Sequence, residues 1–537
     1  MVAPGPEDRD GVMGEPADVL VVGAGPSGLA LALQAHDHGA SVRVLERRLR
    51  ASRPSRAMML HPRTLEVLRP LGVCDELLAA AGVSPAMRLH LGRREISVKL
   101  DDFPLTGTSF PHLVFIRQAA VEAVLAAALA ARGIAVEYGA ELSAVRAQSG
   151  MTVARVRRGT TAGELACRYV AGCDGAHSSI RRQAGIAWDG AAYRHEVLLA
   201  DVELDGALAP GVSHAVAGRA GVIFLFALGE GATWRMLATR PARPAERAAP
   251  GSGTVLRSQL QQLLDAAGVG TRITRVVRSA SIGLQHRVAA RYRVGPLFVV
   301  GDAAHVNSPA GGQGMNLGIQ DATNLGWKLA FASRACGVSD GQSEVLLDSY
   351  GRERRAVALR TVALTHAIFW AEAHTDPLAA FVRGSAVPFA APVLPFILRR
   401  RRLVAAGVRL LSQLDTRYPR RALSFDSGPR VSGGPRVGER VPDAVVQVDD
   451  ELRRLHEVLA QPGVHVLLEA QAAALDPTPA DRRIHVRRVQ SWLGRGVVVV
   501  RPDGYVGYRS TTLDVEALGR WFALVGLRAE HAPGPFA

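Results

Sequence analysis

Gly23-Ala24-Gly25-Pro26-Ser27-Gly28 decides the fold. It succeeds the apolar run Val19-Leu20-Val21-Val22 and leads into an alanine- and leucine-rich stretch that ends at His38-Gly39. The run reads as a buried parallel strand over Asp18–Gly23, and the alanine- and leucine-rich stretch reads as a helix over Ser27–His38, stopped by glycine. A second strand, Ser41–Glu46, completes a βαβ unit, which demands a parallel sheet. Gly23 permits the tight turn, Gly25 lets the backbone approach a pyrophosphate, and Gly28 allows close helix–strand packing. Pro26 and Ser27 open the helix, whose unpaired N–H groups and positive dipole end favour phosphate. Glu46, with Arg47 next in the chain, ends the second strand where a carboxylate can accept ribose hydroxyls. The fingerprint predicts a dinucleotide but does not separate nicotinamide from flavin.

Two further stretches narrow the choice. Leu297-Phe298-Val299-Val300-Gly301-Asp302-Ala303-Ala304-His305 reads as a buried strand ending in Gly-Asp. Asp302 at its carboxyl end is either an N-cap for the next helix or a ligand contact, because open α/β sheets bind ligands there. Pro309-Ala310-Gly311-Gly312-Gln313-Gly314-Met315-Asn316 is too glycine-dense for a routine cap. Such a loop brings bare backbone N–H groups against a closely approached ligand. A helix over Leu317–Ala330 adds its dipole, and this geometry suits an isoalloxazine pyrimidine. The third stretch, Gly172-Cys173-Asp174-Gly175-Ala176-His177-Ser178-Ser179-Ile180-Arg181-Arg182, taken alone is a turn with a capped helix start.

Together the three stretches resemble the class A flavoprotein monooxygenases, the aromatic hydroxylases that include the phenol and p-hydroxybenzoate enzymes. Flanking segments extend the resemblance: Arg56-Ala57, His61 to Glu66, Ile116-Arg117-Gln118, Arg287-Val288-Ala289 with Tyr292, and Leu346 to Tyr350. It covers roughly residues 18–360 and resumes at Val499–Arg509, similar to a subgroup with a thioredoxin-like C-terminal domain that tailors polyketides and antibiotics. The resemblance implies FAD held by Gly23, Gly25, Pro26, Ser27, Gly28, Glu46, Arg47, Gly301 and Asp302, and by Pro309 with Gly311–Asn316. Glu46 would take the adenosine ribose, and Arg117 and Gln118 the phosphate–ribose region. Asp302 would bind the ribityl chain and Gly311–Asn316 the flavin ring. Arg56 would lie near the mobile flavin or the transient NAD(P)H, with NADPH favoured. Asp174, Arg181 and Arg182 would support both cofactors. Two departures stand out: His177 where arginine is common, and Asn307-Ser308 in place of bulkier residues before Pro309.

The implied chemistry is transfer of one oxygen atom from O₂ to an aromatic or polyketide-type small molecule through a C4a-hydroperoxyflavin, with no catalytic side chain or metal required. His305 could be named a base, but its place within the Gly-Asp stretch favours packing. A flavin dehydrogenase or oxidase shares the fingerprint, and an FAD protein that only holds or protects a substrate is a third reading. A flavin halogenase is set aside because no tryptophan lies in a W-x-W-x-I-P pattern.

The chain has 537 residues, 48% of them hydrophobic and 21% charged, enough for two or three domains. The predicted fold class is α/β. A Rossmann-like FAD-binding domain (18–88, 104–189, 283–360) carries an inserted antiparallel-sheet substrate domain (89–103, 190–282). A helical region (361–426) and a linker (427–438) lead to a thioredoxin-like unit (439–537), and residues 1–17 read as a disordered leader. No cysteine lies beyond Cys336, so thiol chemistry in the last unit is excluded. The four cysteines form no C-x-x-C pair or zinc spacing, which suits a reduced, cytoplasmic setting. The net charge of +15 comes almost wholly from arginine; only Lys99 and Lys328 are lysines among 64 basic residues. No basic tail or aromatic-interleaved stripe points to nucleic acid, and Arg399–Arg402 reads as the end of a helix. The leader lacks a signal peptide's apolar run, and Gly384–Leu398 is too short to span a membrane. A monomer or homodimer is expected.

Overall fold

The computed structural model describes residues 15–51, 57–82, 86–91, 94–148, 150–206, 208–209, 211–218, 221–228, 231–241, 255–334, 340–373, 400–420, 423–427, 433–448, 450–470, 481–490 and 496–527. Arg56, residues 1–14, Cys336 and the Gly384–Leu398 stretch lie outside them.

The apolar run at the amino end forms the strand Ala17–Val22, in which Val19, Leu20 and Val21 are fully buried. It lies at the centre of a parallel sheet with Thr161–Gly172 on one side and Val42–Glu46 on the other. Leu297–Val299 and Val136–Tyr138 extend this sheet outward in parallel. Continuous apolar runs are what a sheet covered on both faces requires. The helix Pro26–Asp37 begins one residue before the expected Ser27, with Gly25 as its cap. An antiparallel hairpin, Ala140–Gln148 and Met151–Arg158, joins the sheet through the amino half of Thr161–Gly172.

A second sheet of eight strands runs in the order His305–Val306, Thr271–Ala289, Trp188–Gly206, Trp234–Pro241, Gly221–Phe226, Ser213–Gly218, Ala86–Leu91, Arg94–Lys99. Its pairings are antiparallel except between Ser213–Gly218 and Ala86–Leu91. Trp188–Gly206 and Thr271–Ala289 each have 19 residues and run straight through the expected boundaries at 189/190 and 282/283. The two strands pair with each other from Trp188↔Ala289 to Gly206↔Thr271, with register shifts along the way, so no linker separates the expected parts there.

The expected helix Leu317–Ala330 begins four residues earlier, as Gln313–Arg334, and is buried along most of its length. It packs on Pro26–Asp37, where a Cβ on Gly326 would press on Gln34. Next in the chain is a 34-residue helix, Asp340–Ala373. Arg401 and Arg402 open the helix Arg401–Leu411, with Arg400 as its cap, where a helix end was expected.

The C-terminal sheet has the order Phe425–Ser427, Val506–Ser510, Val497–Val500, Val464–Glu469, Ile484–Val489. Its expected strands and the Pro502-Asp503-Gly504 turn are present, with Gly504 at φ 76°. That hairpin reaches back into the protein. Arg501 Nη1 and Nη2 donate to the two oxygens of Glu353, at 2.6 and 2.8 Å, and Lys328 Nζ donates to Glu353 Oε2 at 2.7 Å. Asn324 donates to both Glu353 and Asp503, each at 2.8 Å. Arg501, Lys328 and Glu353 side chains are wholly buried. Burial opposes the Glu353 charge, but Arg501 and Lys328 overcome it and bring the carboxyl down to about 2.

Breaking a buried pair from one side leaves an uncompensated charge, at a cost of about 3–5 kcal/mol. Arg501→Met should lower the unfolding free energy by that order, read as a lower denaturant midpoint at constant slope, while Arg146→Met, from an exposed pair, should leave it nearly unchanged.

Candidate FAD site

The three stretches meet at the carboxyl ends of the parallel strands. Gly23 has φ 106°, and a Cβ there would overlap the Cys173 carbonyl; a Cβ on Gly28 would overlap the Gly23 carbonyl. The first stretch is therefore seated on the third with no room for a methyl group. A Cβ on Gly301 (φ 61°) would come within 2.6 Å of Ser27 Oγ, and one on Gly318 would overlap the same oxygen. Ser27 is thus wedged between the Gly301–Ala303 turn and the Gln313–Arg334 helix.

Glu46 is buried and accepts the Ala24 N–H (2.9 Å) on Oε2 and the Arg48 N–H (3.0 Å) on Oε1. Burial disfavours its charge, but hydrogen bonds from Arg48 and Ala24 outweigh that and hold the carboxyl below its ordinary range. Arg48, which carries no motif signal in the sequence, reaches Glu46 and Glu122, whereas Arg47 is exposed with no partner among the described residues. Arg117 is exposed at the start of the helix Gln118–Ala131. The Gln118 side chain accepts from Ala57 N–H (3.3 Å) and donates to Glu122 (2.8 Å).

Asp174 Oδ2 accepts the Ser179 N–H (2.6 Å), the Ser179 hydroxyl (2.8 Å) and the Ile180 N–H (3.3 Å), which ties down the start of the helix Ser179–Gln183. Its Oδ1 is buried without a partner. Arg181 is spent on structure. It donates to the Ala303 (2.9 Å) and Ala176 (2.8 Å) carbonyls and stacks on Trp188, stapling the Asp-Gly stretch to the Gly-Asp stretch. Arg182 is exposed and donates to the His177 carbonyl (2.7 Å).

Asp302 stands in a short 3₁₀ turn, exposed, and its carboxylate has no partner among the described residues. No cap hydrogen bond forms, so the N-cap alternative is not realised. Gly311 and Gly312 carry φ 69° and 63°, and Gln313 then starts the helix. Gln313-Gly314-Met315-Asn316 is therefore the first helical turn rather than loop, and its N–H groups are those a helix leaves unpaired. The Gln313 and Asn316 side chains face protein: Gln313 donates to the Leu411 carbonyl (2.9 Å), and Asn316 to the Met59 (2.9 Å) and Gly312 (2.7 Å) carbonyls. Met315 is buried, Gly314 is half-buried and Pro309 is exposed. His61, in the sequence only part of a flanking segment, proves central. Its Nε2 hydrogen bonds to the Gly311 carbonyl (2.9 Å), and its backbone N–H donates to Asn316 Oδ1 (2.9 Å). Burial brings its pKa down to about 4.

His305 hydrogen bonds through Nε2 to Asp321 Oδ2 (2.6 Å), and Asp321 also accepts Arg354 Nε (2.6 Å), all three side chains fully buried. That arrangement is packing, not a base poised for chemistry. On the far side of the glycine loop, Ala310 packs with Tyr193, Val197, Leu284 and Phe369 from the second sheet and the long helix. Tyr193 sits where the ladder with Thr271–Ala289 slips between Ala192 and Glu196, a bulge that re-aims the side chain. His366 Nδ1 lies 3.0 Å from the Tyr193 hydroxyl.

The residues present fit a flavin dinucleotide: a glycine cradle at a helix start, an unpartnered carboxylate beyond it, and a positive-φ loop ending in a second helix start. Family comparison agrees. Residues 16–365 match the FAD binding domain model and residues 434–524 match the aromatic-ring hydroxylase C-terminal model. The chain belongs to the class A FAD-dependent aromatic hydroxylases. This hydroxylase is 31% identical to 6-methylpretetramide 4-monooxygenase of Streptomyces rimosus, over 98% of its own length and 96% of that protein. It is also 31% identical to a rifampicin monooxygenase of Streptomyces venezuelae, over 91% and 94% of the two chains. Among solved structures, the anhydrotetracycline hydroxylase OxyS from Streptomyces rimosus superposes with a TM-score of 0.75 at 26% identity, covering 96% of this chain and all of the other. The enzyme is an FAD-dependent aromatic monooxygenase.

Gly301→Ala forces a methyl group onto Ser27 at a positive φ, and should weaken FAD binding about tenfold or more by flavin-fluorescence titration. The buried neutral His61 holds fewer protons than it does unfolded, so its contribution is complete above pH 6.5 and declines as pH falls toward about 4. Flavin retention should fall across that window, and His61→Phe should flatten the fall.

Proposed function

We propose that this hydroxylase uses NADPH and O₂ to oxygenate an extended aromatic, polyketide-type small molecule in the cytoplasm. The observation that carries this reading is the packing of Ala310, inside the glycine loop, against Tyr193 and Phe369 of the second sheet and long helix. A substrate admitted between those elements would lie against the flavin edge. The pretetramide-, anhydrotetracycline- and rifampicin-directed names of its relatives support substrates of several fused rings. No helix among the described residues is long and apolar enough to cross a membrane.

Bound FAD supplies the redox chemistry, accepting electrons from the nicotinamide and activating O₂. The protein's part is binding, orientation and exclusion of water. In this reading Gly23, Gly25 and Gly28 admit the pyrophosphate, Glu46 takes the adenosine ribose, Asp302 the ribityl hydroxyls, and the N–H groups of Gly311–Asn316 the pyrimidine edge of the ring. Arg117 is exposed on the approach to the phosphates. Pro309 and Ala310, backed by Phe369 and Leu237, keep water from the reacting edge. The Tyr193 hydroxyl, held by His366 and within reach of Ser308, orients a substrate hydroxyl against it. The division into an FAD-binding part, a substrate part and a thioredoxin-like C-terminal unit belongs to this proposal too. It is supported by the strand order of the last sheet, with two parallel strands and then an antiparallel hairpin.

With ¹⁸O₂ and NADPH, label should enter an aromatic product. Consumption of NADPH with no label in any product sinks the oxygenation reading and favours a dehydrogenase, an oxidase or a substrate-holding protein. Tyr193→Phe should lower turnover by about tenfold, the order of one lost hydrogen bond of about 1.4 kcal/mol, with FAD content unchanged.

A further inference from the structure

The helix Arg401–Leu411 turns an apolar face to solvent. Its inner face is ordinary: Ala405 and Val408 are buried in a cluster with Phe103, Phe115 and Phe226, and Val404 is laid against it. At about 100° per residue, the positions opposite that inner face are Leu403, Ala406, Gly407 and Leu410. All four are exposed, Leu403 by 53% and Leu410 by 61%. A single exposed leucine needs no explanation. A surface helix, however, ordinarily turns charged and polar residues outward, and no polar side chain interrupts this stripe of two turns.

The stripe is flanked by cations. Arg400, Arg401 and Arg402 stand exposed at the start of the helix, and Arg409 follows Arg402 two turns on along one edge of the stripe. A helix start carries the positive end of the macrodipole, which disfavours cations, so the helix itself gives these arginines no stabilising partner. Arg401 donates to Asp102 (3.1 Å) and Arg409 to Asp415 (2.8 Å), both exposed pairs. Arg400 and Arg402 have no hydrogen-bond or ion partner among the described residues. Size and charge together select what covers the stripe. The helix presents a strip about 16 Å long and about 10 Å wide, far below the about 800 Å² per partner of a stable protein interface. A second copy of a chain with net charge +15 would also set like charges against each other. An anionic lipid surface meets both conditions, since leucines enter the headgroup boundary while arginines pair with phosphate.

We propose that the outer face of the Arg401–Leu411 helix rests on an anionic membrane surface, with Leu403, Ala406 and Leu410 at the headgroup boundary and Arg400 and Arg402 on lipid phosphates. The helix lies along the surface; no helix among the described residues is long and apolar enough to cross. Two leucines and a few arginines make an attachment that is weak and reversible, and sensitive to salt. The docked helix is also the one that backs the glycine loop, because the Leu411 carbonyl accepts from Gln313 at 2.9 Å. The inference does not depend on the oxygenation reading.

Vesicle sedimentation tests it without turnover. The FAD-loaded full chain is spun with vesicles of phosphatidylcholine alone and with vesicles in which about one-third of the lipid is phosphatidylglycerol. Wild type should partition about tenfold more strongly onto the anionic vesicles, and high salt should remove the difference. Leu403→Ser with Leu410→Ser should weaken anionic binding about tenfold, and Arg400→Gln with Arg402→Gln should do the same. Arg272→Gln with Arg275→Gln makes an equal charge change at exposed positions of Thr271–Ala289 and should leave binding within about twofold. Without lipid, the leucine substitutions should keep the thermal midpoint within about 2 °C. Absence of binding to anionic vesicles, unaltered binding in the leucine variant, or equal losses in the two arginine variants overturns the proposal. A dimer by light scattering that the leucine substitutions dissociate assigns the face to a second copy and overturns it too. A larger fall in midpoint shows a stripe covered within the chain, with the same consequence.

Discussion

Glu353 is the point on which the separate parts of this hydroxylase are pinned together. Its carboxylate, on the long helix, is shared by Arg501 of the C-terminal hairpin and by Lys328 and Asn324 of the helix that begins at the flavin loop. In a low-dielectric interior such a group is tolerable only if every charge finds its partner. Arg501 also holds Asp503, which accepts from Asn324, while the Asp503 carbonyl accepts from Arg63 at 2.7 Å. Arg63 and Arg440 then share Glu66. The chain of partners runs from the last sheet to the segment carrying His61. A C-terminal unit without cysteine chemistry therefore has a physical role: it closes a buried charge network beneath the helix that follows the glycine loop.

A second constraint, steric rather than electrostatic, sets the site itself. Ser27, Gly301 and Gly318 come from three elements and meet with no space for one more carbon. Beneath them, Asp321 accepts from His305 and Arg354 and lies 3.4 Å from the Gly301 N–H. The Gly-Asp turn is thereby fixed from below by a buried carboxylate and from the side by the nucleotide loop. Within that turn, Asp302 faces solvent. The second sheet crosses its expected boundaries on strands of 19 residues rather than through linkers, which fits a substrate wall held in register with the flavin loop.

Much of this could be read from the sequence, because the deciding features are local. A glycine that must turn, a strand of four buried aliphatics and a Pro-Asp-Gly hairpin are dictated by backbone sterics within a few residues. The βαβ unit, the Gly-Asp turn, the positive-φ loop and the C-terminal strands all appeared near their expected places. The roles of side chains were less legible. Arg181 looked available to a cofactor but is consumed by two carbonyls, and Gln313 and Asn316 face protein rather than ligand. Arg48 and His61 gave no distinct signal, since their importance lies in contacts with partners 2 and 250 residues away.

The sequence by itself determined that this is a flavin dinucleotide fold and which backbone segments meet at the carboxyl ends of its parallel strands, because glycine spacing and strand–helix order are encoded in consecutive residues. Only the tertiary structure decided which side chains are free to meet a ligand and which are spent holding the frame. Both kinds are charged or polar side chains on paper. Burial and the number of partners separate them: Glu353 has its charge cancelled inside the protein, while Asp302 is left in the open.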